Sequence, residues 1–180
     1  MKRYIRSAEE LNSKQRIRIA KNSTDPKELS RLAYDNSRLV RIAVLNNSHT
    51  PKKVVEMLCQ EFARDTDRNV RRFVARTTED PELLAMLAED TDAYVRWDVA
   101  RNADDPELLA MLARDEYGGV RWAVARNTDD PELLAMLAED EDEDVRRVVA
   151  EKTDDPELLA MLAEDEDGSV RQAVARNTRS

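Results

Sequence analysis

The residues of this chain best suited to contacting a ligand are tryptophans and arginines at helical spacing. Trp97 and Trp122, the two tryptophans of the chain, are each followed four residues later by an arginine, Arg101 and Arg126. A four-residue spacing places two side chains on one face of a helix. Rings beside arginines can stack bases and pair phosphates, or bury an apolar peptide side chain while pairing its carboxylates. Alternatively, each arginine covers its own tryptophan in a local cation-π pair.

The same two positions recur seven times along the chain, and we call them the stripe. Unlike the apolar residues around them, their occupants vary. Read in order, the stripe pairs are Ile17/Lys21, Ile42/Asn46, Arg72/Arg76, Trp97/Arg101, Trp122/Arg126, Arg147/Glu151 and Gln172/Arg176. We predict that the ligand-binding groove is formed by Arg72, Arg76, Trp97, Arg101, Trp122 and Arg126.

A second series combines arginines with aspartates. An arginine follows one recurrent apolar position, which Gln15 occupies in the first case: Arg16, Arg41, Arg71, Arg96, Arg121, Arg146 and Arg171. An aspartate stands six residues before all but the first: Asp35, Asp65, Asp90, Asp115, Asp140 and Asp165. A planar guanidinium can bridge two repeats if it finds an acidic or carbonyl partner. We therefore predict a structural ladder, with Arg121 expected to neutralise Asp115, and keep ligand binding by these arginines as the alternative.

The elements that position these residues are repeats. DPELLAMLAED begins at Asp80, Asp130 and Asp155, and once with a single substitution at Asp105; a VRxxVA segment follows each copy. Successive prolines stand 25 residues apart, except that the step from Pro51 is five residues longer. A fixed period of this size is typical of a solenoid, in which each unit buries its apolar face on its neighbours.

Each repeat reads as two short helices. Asp-Pro-Glu is a strong helix start, because aspartate caps the first amides and proline has none to lose. We expect Asn102, Asn127 and Asn177 to end the second helices in left-handed geometry, and the five extra residues to lengthen one first helix by about a turn. The predicted organisation is a half-repeat cap over residues 1–25, with a capping box at Ser7, and six repeats in one continuous solenoid over residues 26–180.

The units DPELLAMLAED and VRWAVARN resemble the leucine-rich repeat variant family over Asp25 to Asn177. The resemblance implies an all-α, right-handed superhelical α-solenoid of paired short helices, α/α or α/3₁₀, related to HEAT-like repeats. The founding type of that family carries a cysteine-rich iron-sulfur segment, but this chain has one cysteine, so no cluster is expected. The last four repeats are nearly identical, which indicates recent duplication or idealisation.

Charge is distributed unevenly along the chain, whose net charge is -9. Residues 1–75 hold 17 Lys+Arg against 9 Asp+Glu, and residues 76–180 hold 12 against 29. No phosphate loop, nucleophile elbow or calcium-loop spacing occurs, so we expect no enzymatic activity, no catalytic residue, no metal and no cofactor. Cys59 reads as a core residue, and the absence of a long apolar stretch or signal peptide favours a cytoplasmic location without membrane contact.

These observations favour a non-enzymatic scaffold that binds a protein or peptide, acidic in part, through a concave face of the second helices. The alternatives are a nucleic-acid-binding HEAT-like solenoid, or an idealised repeat array without a ligand. A further expectation is end-to-end self-association through the last repeat, whose flank of Leu158, Leu159, Leu162, Val170 and Val174 has no following helix to cover it.

Overall fold

A computed structural model describes residues 11–178, and all regular secondary structure in that range is α-helical. The all-α prediction is confirmed, and of the two arrangements that the resemblance implied, both helices of each described repeat are α rather than 3₁₀. The capping box expected at Ser7 lies outside the described residues.

The chain forms two compact units, Met1–Asp80 and Pro81–Ser180, so the division falls at the start of a repeat. The first unit contains α1 (Ser13–Asn22), α2 (Pro26–Leu32), α3 (Arg38–Leu45), α4 (Lys52–Phe62) and α5 (Arg68–Thr77). The second contains α6 (Pro81–Ala88), α7 (Ala93–Asn102), α8 (Pro106–Leu112), α9 (Gly118–Asn127), α10 (Pro131–Leu137), α11 (Glu143–Lys152), α12 (Pro156–Leu162) and α13 (Gly168–Asn177). The cap over 1–25 and the continuous solenoid over 26–180 stay predictions.

The first helices begin where the sequence predicts. Asp105 caps α8 by accepting hydrogen bonds from the amides of Glu107 and Leu108, and Pro106 occupies the first helical position. α10 and α12 repeat this arrangement. The aspartate thus accepts hydrogen bonds from the first free amides of the helix, and such an N-cap typically stabilises a helix by about 1 kcal/mol.

Packing between repeats provides the stability that these short helices lack in isolation. Helices of seven or eight residues are marginal in isolation. In the second unit the second helices α7, α9, α11 and α13 pack side by side, and each first helix packs on the second helix that follows it. Val95, Val99, Leu87 and Leu112 are almost completely buried between them, and full burial of one such side chain contributes about 1.5–3 kcal/mol.

The ends of the second helices differ from the expectation. No described residue has a positive φ, so the prediction of left-handed asparagines is wrong. α9 ends instead on Thr128 in extended conformation, and Asn127 remains helical. Its side-chain amide donates to the carbonyls of Ala100 (3.0 Å) and Ala103 (2.7 Å) in the preceding repeat. The asparagine therefore joins neighbouring repeats. Asn47 and Asn177 make the equivalent bonds.

The five extra residues of the second repeat lengthen α4 to 11 residues, against seven or eight in the other first helices. This confirms the predicted additional turn. Leu58, Cys59 and Phe62 of α4 are buried in the first unit.

Candidate binding surface

The ladder arginines of the second unit bridge successive repeats. Arg96 holds the carboxylate of Asp115 with Nε at 2.6 Å and Nη2 at 2.9 Å, while its Nη1 donates to the carbonyl of Asp90 at 2.8 Å. Arg121 binds Asp140, and Arg146 binds Asp165, in the same way. Each arginine is 8% exposed. A buried guanidinium that already holds a carboxylate has little left to offer a ligand, which favours the predicted structural role of these residues.

The expected pairing of Arg121 with the carboxylate of Asp115 is wrong. Arg121 meets Asp115 through the backbone carbonyl, at 2.9 Å, whereas its carboxylate partners are Asp140 and the exposed Glu141 of the next repeat. The arginine projects toward the following repeat, so its partner lies 19 residues ahead of it rather than six behind.

The ladder also exists in the first unit, with one change of register. Arg16 binds Asp35 at 2.6 Å, as the regular repeats do. Asp65, however, is bound by Arg38 rather than by Arg41. Arg41 binds Glu61 at 2.6 Å and the carbonyl of Asp35. Arg71 Nη1 donates to the carbonyl of Asp65, and the exposed Arg171 donates to that of Asp165.

The ladder changes the acidity of its carboxylates. The hydrogen bonds that Arg146 donates to Asp165 hold the pKa of that carboxyl below its usual range, although partial burial opposes the shift. The pKa of Arg146 is raised by the same bond. Both groups therefore stay ionised together at neutral pH.

The first tryptophan pair of the stripe lies on α7. Trp97 is half-buried, and the guanidinium carbon of the exposed Arg101 lies 4.8 Å from the ring centroid. This is the local cation-π pair considered above. Among residues 11–178, Arg101 makes this ring contact and no acidic side chain pairs with it. The positive charge therefore remains available at the surface.

The second pair, on the adjacent helix α9, is arranged differently. Trp122 is half-buried, and the Arg126 side chain is 63% exposed. Arg126 approaches Glu151 of α11 at 3.8 Å instead of covering its ring. An exposed ion pair at that distance is weak, so both the ring and the cation can be engaged from outside.

The stripe arginine of α11 is neutralised. Arg147 binds Asp144 at 2.7 Å and Glu151 at 3.1 Å. Lys152, which follows the stripe pair of α11, binds Asp129 at 2.9 Å and two backbone carbonyls. The structure thus brings four of the six predicted groove residues together on α7 and α9. The other two, Arg72 and Arg76, lie on α5 of the first unit, where Arg76 lies 5.9 Å from the Phe73 ring.

One side chain that the sequence analysis did not single out is Asp98. It is a completely buried carboxylate on α7, where the equivalent positions of the following second helices are Ala123, Val148 and Ala173. The signal was present as a departure from the repeat consensus, VRWDVA against VRWAVA.

Cys59 lies against a cavity of about 520 Å³ in the first unit, but it is itself completely buried. Burial raises the pKa of its thiol to about 11, and the charges of Asp80 and Glu56 add to the effect. A protonated, buried thiol is a poor nucleophile. The part of the chain that the structure describes has no cluster of three His, Cys, Asp or Glu side chains able to hold a metal ion.

None of the described helices is both long enough and apolar enough to cross a membrane.

In the last repeat, Leu162, Val170 and Val174 are buried, while Leu158 and Leu159 are half-buried. The flank predicted to be uncovered is therefore narrower than expected, and self-association through it stays a prediction.

The paired helices, nearest-neighbour packing and ladder define an α-solenoid repeat protein. No protein-family model and no curated protein matches the chain. Among solved structures, it is similar to "a leucine-rich repeat variant with a novel repetitive protein structural motif", with 30% identity and a TM-score of 0.70 over 96% of this chain and 68% of that one. The chain belongs to the leucine-rich repeat variant family. A structure of the YibA protein of Escherichia coli shares the fold, with 21% identity and a TM-score of 0.54 over 94% of this chain and 77% of that one. The solved structures that this chain resembles are repeat proteins, whose fold is suited to scaffold or binding roles.

Proposed function

We propose that the protein is a non-enzymatic scaffold that binds a protein or peptide through the stripe of α7 and α9. The observation that carries this proposal is the placement of both tryptophans, half-buried on adjacent helices, beside arginines that the ladder does not use. Tryptophan and arginine are the residues most often found at the energetic centre of protein interfaces.

The chemistry of the stripe favours a partner that is apolar and acidic in part. Two rings can bury an apolar side chain, and Arg101 and Arg126 can each receive a carboxylate. Binding would displace little, because Arg126 gives up only a weak contact with Glu151 and Arg101 can keep its ring contact while binding an anion from outside. A neutralising carboxylate adds specificity and a faster association rate more than it adds affinity.

Intrinsic fluorescence tests the proposal directly, since both tryptophans of the chain lie in the stripe. The probes are synthetic 12-residue peptides in which a leucine or phenylalanine is flanked by glutamates. We expect a shift in tryptophan emission on binding. Trp122→Ala with Arg126→Ala should weaken binding at least about tenfold, as the loss of an interface hot spot does.

Arg114→Ala is the matched control. Arg114 follows α8, is exposed and bonds only within its own segment, through the carbonyl of Ala110. Loss of binding in Arg114→Ala equal to that in the stripe variant, or no emission change with any acidic apolar peptide, would contradict the proposal.

Nucleic-acid binding is the second candidate, supported by the 17 basic against 9 acidic residues in residues 1–75. Phosphate contacts impose a steep loss of affinity with salt. A labelled single-stranded or double-stranded oligonucleotide should then bind at about 50 mM salt and be released as salt increases. The 29 acidic residues of 76–180 disfavour it, because they repel phosphate over about 10 Å at this range of ionic strength.

A further inference from the structure

A second surface of the Pro81–Ser180 unit lies on its first helices, away from the stripe. At the seam between α6 and α8 a cavity of about 260 Å³ opens to the outside. Its floor is apolar and its rim bears two carboxylates; the lining includes Pro81, Leu84, Leu108, Met111, Asp105 and Glu107. Met111 is 42% exposed although it is large and apolar. The seam therefore leaves apolar surface uncovered.

The same feature returns two repeats later, between α10 and α12. A cavity of about 380 Å³ is lined there by Pro131, Leu134 and Leu158, which correspond by repeat position to Pro81, Leu84 and Leu108. Its lining again includes exposed acids, Asp154 and Asp155. Lys152 also lines this cavity, where it pairs with Asp129. Because packed helices lie about 8–10 Å apart, two cavities that are two repeats apart are separated by about 16–20 Å.

The charge around these seams is strongly negative. The unit Pro81–Ser180 contains 27 acidic residues against 11 basic ones. Its first helices α6, α8, α10 and α12 contain no lysine or arginine, and each has an exposed glutamate directly after its proline. Three of the unit's basic residues are also buried in the ladder, where each balances one buried aspartate. The surface excess of acid is thus undiminished.

We propose that the first-helix face of this unit binds a cationic peptide segment, whose bulky apolar side chains enter the seams while its lysines or arginines meet the rim carboxylates. Exposed ion pairs contribute little individually, so the apolar side chains anchor the segment and the charge selects and steers it. An anionic membrane or a nucleic acid would be repelled by the same face. An extended segment advances about 3.3 Å per residue, so apolar side chains six positions apart match the two cavities.

Three labelled peptides test this surface by fluorescence anisotropy. KKLKKLKKLKK carries both features, KKSKKSKKSKK carries only the charge, and EELEELEELEE carries only the apolar spacing. We expect the first to bind and the second to bind at least tenfold more weakly. The third is tested on the Trp122→Ala, Arg126→Ala double variant, in which the stripe is impaired, and we expect it not to bind there. Equal binding of the first two peptides, or binding of the acidic peptide to the double variant that Glu107→Lys alters, would overturn the proposal.

Variants locate the site and separate it from the stripe. Glu107→Lys on the rim and Met111→Lys at the mouth of the seam should each weaken KKLKKLKKLKK at least tenfold. Glu164→Lys makes the same charge change at an exposed glutamate that lines neither cavity, and should change binding less than threefold. Trp122→Ala should leave binding unchanged; an equal loss there would place the peptide on the stripe and overturn the proposal. Circular dichroism spectra of the variants that match the wild type ensure that each one is folded.

Discussion

The two units of the chain solve the same packing problem with different regularity. In the second unit three ladder arginines, Arg96, Arg121 and Arg146, each bind the aspartate 19 residues ahead. In the first unit Asp65, the aspartate after the insertion, is bound by Arg38, which is not a ladder arginine. The ion pair is kept while the donor changes, which shows that the seam requires a guanidinium near the carboxylate rather than one particular residue.

The physical reason is the length of α4. α4 is three or four residues longer than the other first helices, which corresponds to about 4.5–6 Å of helix at about 1.5 Å per residue. Arg38, one turn before Arg41 on α3, then lies where a guanidinium can reach Asp65, and Arg41 meets Glu61 in the added turn instead. An insertion in a repeat protein is thus absorbed by exchanging partners at the seam.

The largest effect on stability is expected from breaking a regular arginine–aspartate pair of the ladder, which we call a rung. Arg121→Ala removes the cationic partner of Asp140, whose side chain is 6% exposed, and leaves that carboxylate with the hydrogen bond from the amide of Asp142. We expect a loss of about 1–3 kcal/mol in the free energy of unfolding, measured by urea denaturation. The exposed Arg114→Ala is the control, with an expected change below about 0.5 kcal/mol. Equal losses in the two variants would show that the rung is not stabilising.

An acid titration sharpens the comparison. Because Asp165 has a lowered pKa when folded, its contribution to stability is present above its unfolded pKa of about 3.9 and is lost as the pH falls through the lower folded pKa. We expect Arg146→Gln to reduce the loss of stability between about pH 5 and pH 2. Melting temperatures across that range measure it. An unchanged pH slope in the variant would contradict this assignment.

The irregular rung should be weaker. The Arg38 side chain is 41% exposed, against 10% for Arg121, so solvent screens its bond to Asp65. We expect Arg38→Ala to cost at most about 1 kcal/mol in the free energy of unfolding. A loss as large as that of Arg121→Ala would mean that the insertion did not weaken the seam.

The smallest effect is expected on the stripe. Arg126→Ala removes an exposed side chain whose ion-pair contact is 3.8 Å long, so the free energy of unfolding should change by no more than about 0.5 kcal/mol. Thermal melting of this variant beside Arg121→Ala compares the two faces directly. Similar shifts in melting temperature would show that Arg126 and Arg121 contribute equally to stability, and would weaken the case that the stripe serves binding.

The repeat period and the helix starts were readable in the sequence because they are local. Asp105 and Pro106 act within one turn, and the extra turn of α4 follows from counting residues. The partners of the ladder were not readable. Whether Arg121 reaches Asp115 or Asp140 depends on how neighbouring helices pack, and no spacing within one repeat decides it.

The prediction that asparagines end the second helices in left-handed geometry was wrong for a related reason. Their residue type suggested a backbone role at the helix end, whereas their side chains act across the seam. For the stripe, the sequence predicted which residues vary. The structure was needed to show that Trp97 and Trp122 lie on two helices packed against each other and that Arg101 and Arg126 make different contacts.

The asparagine bonds between repeats have a consequence for chemical ageing. Asparagine is among the thermolabile residues of proteins, and hydrolysis of the Asn127 side-chain amide would put a carboxylate where a donor now meets two carbonyl oxygens. Attraction would become repulsion through the exchange of a single group, with no change in backbone or core. Lys152 occupies the equivalent place one repeat later and binds carbonyls with an ammonium that cannot be lost in this way. The durability of a seam in old protein therefore depends on which of these two residues closes it.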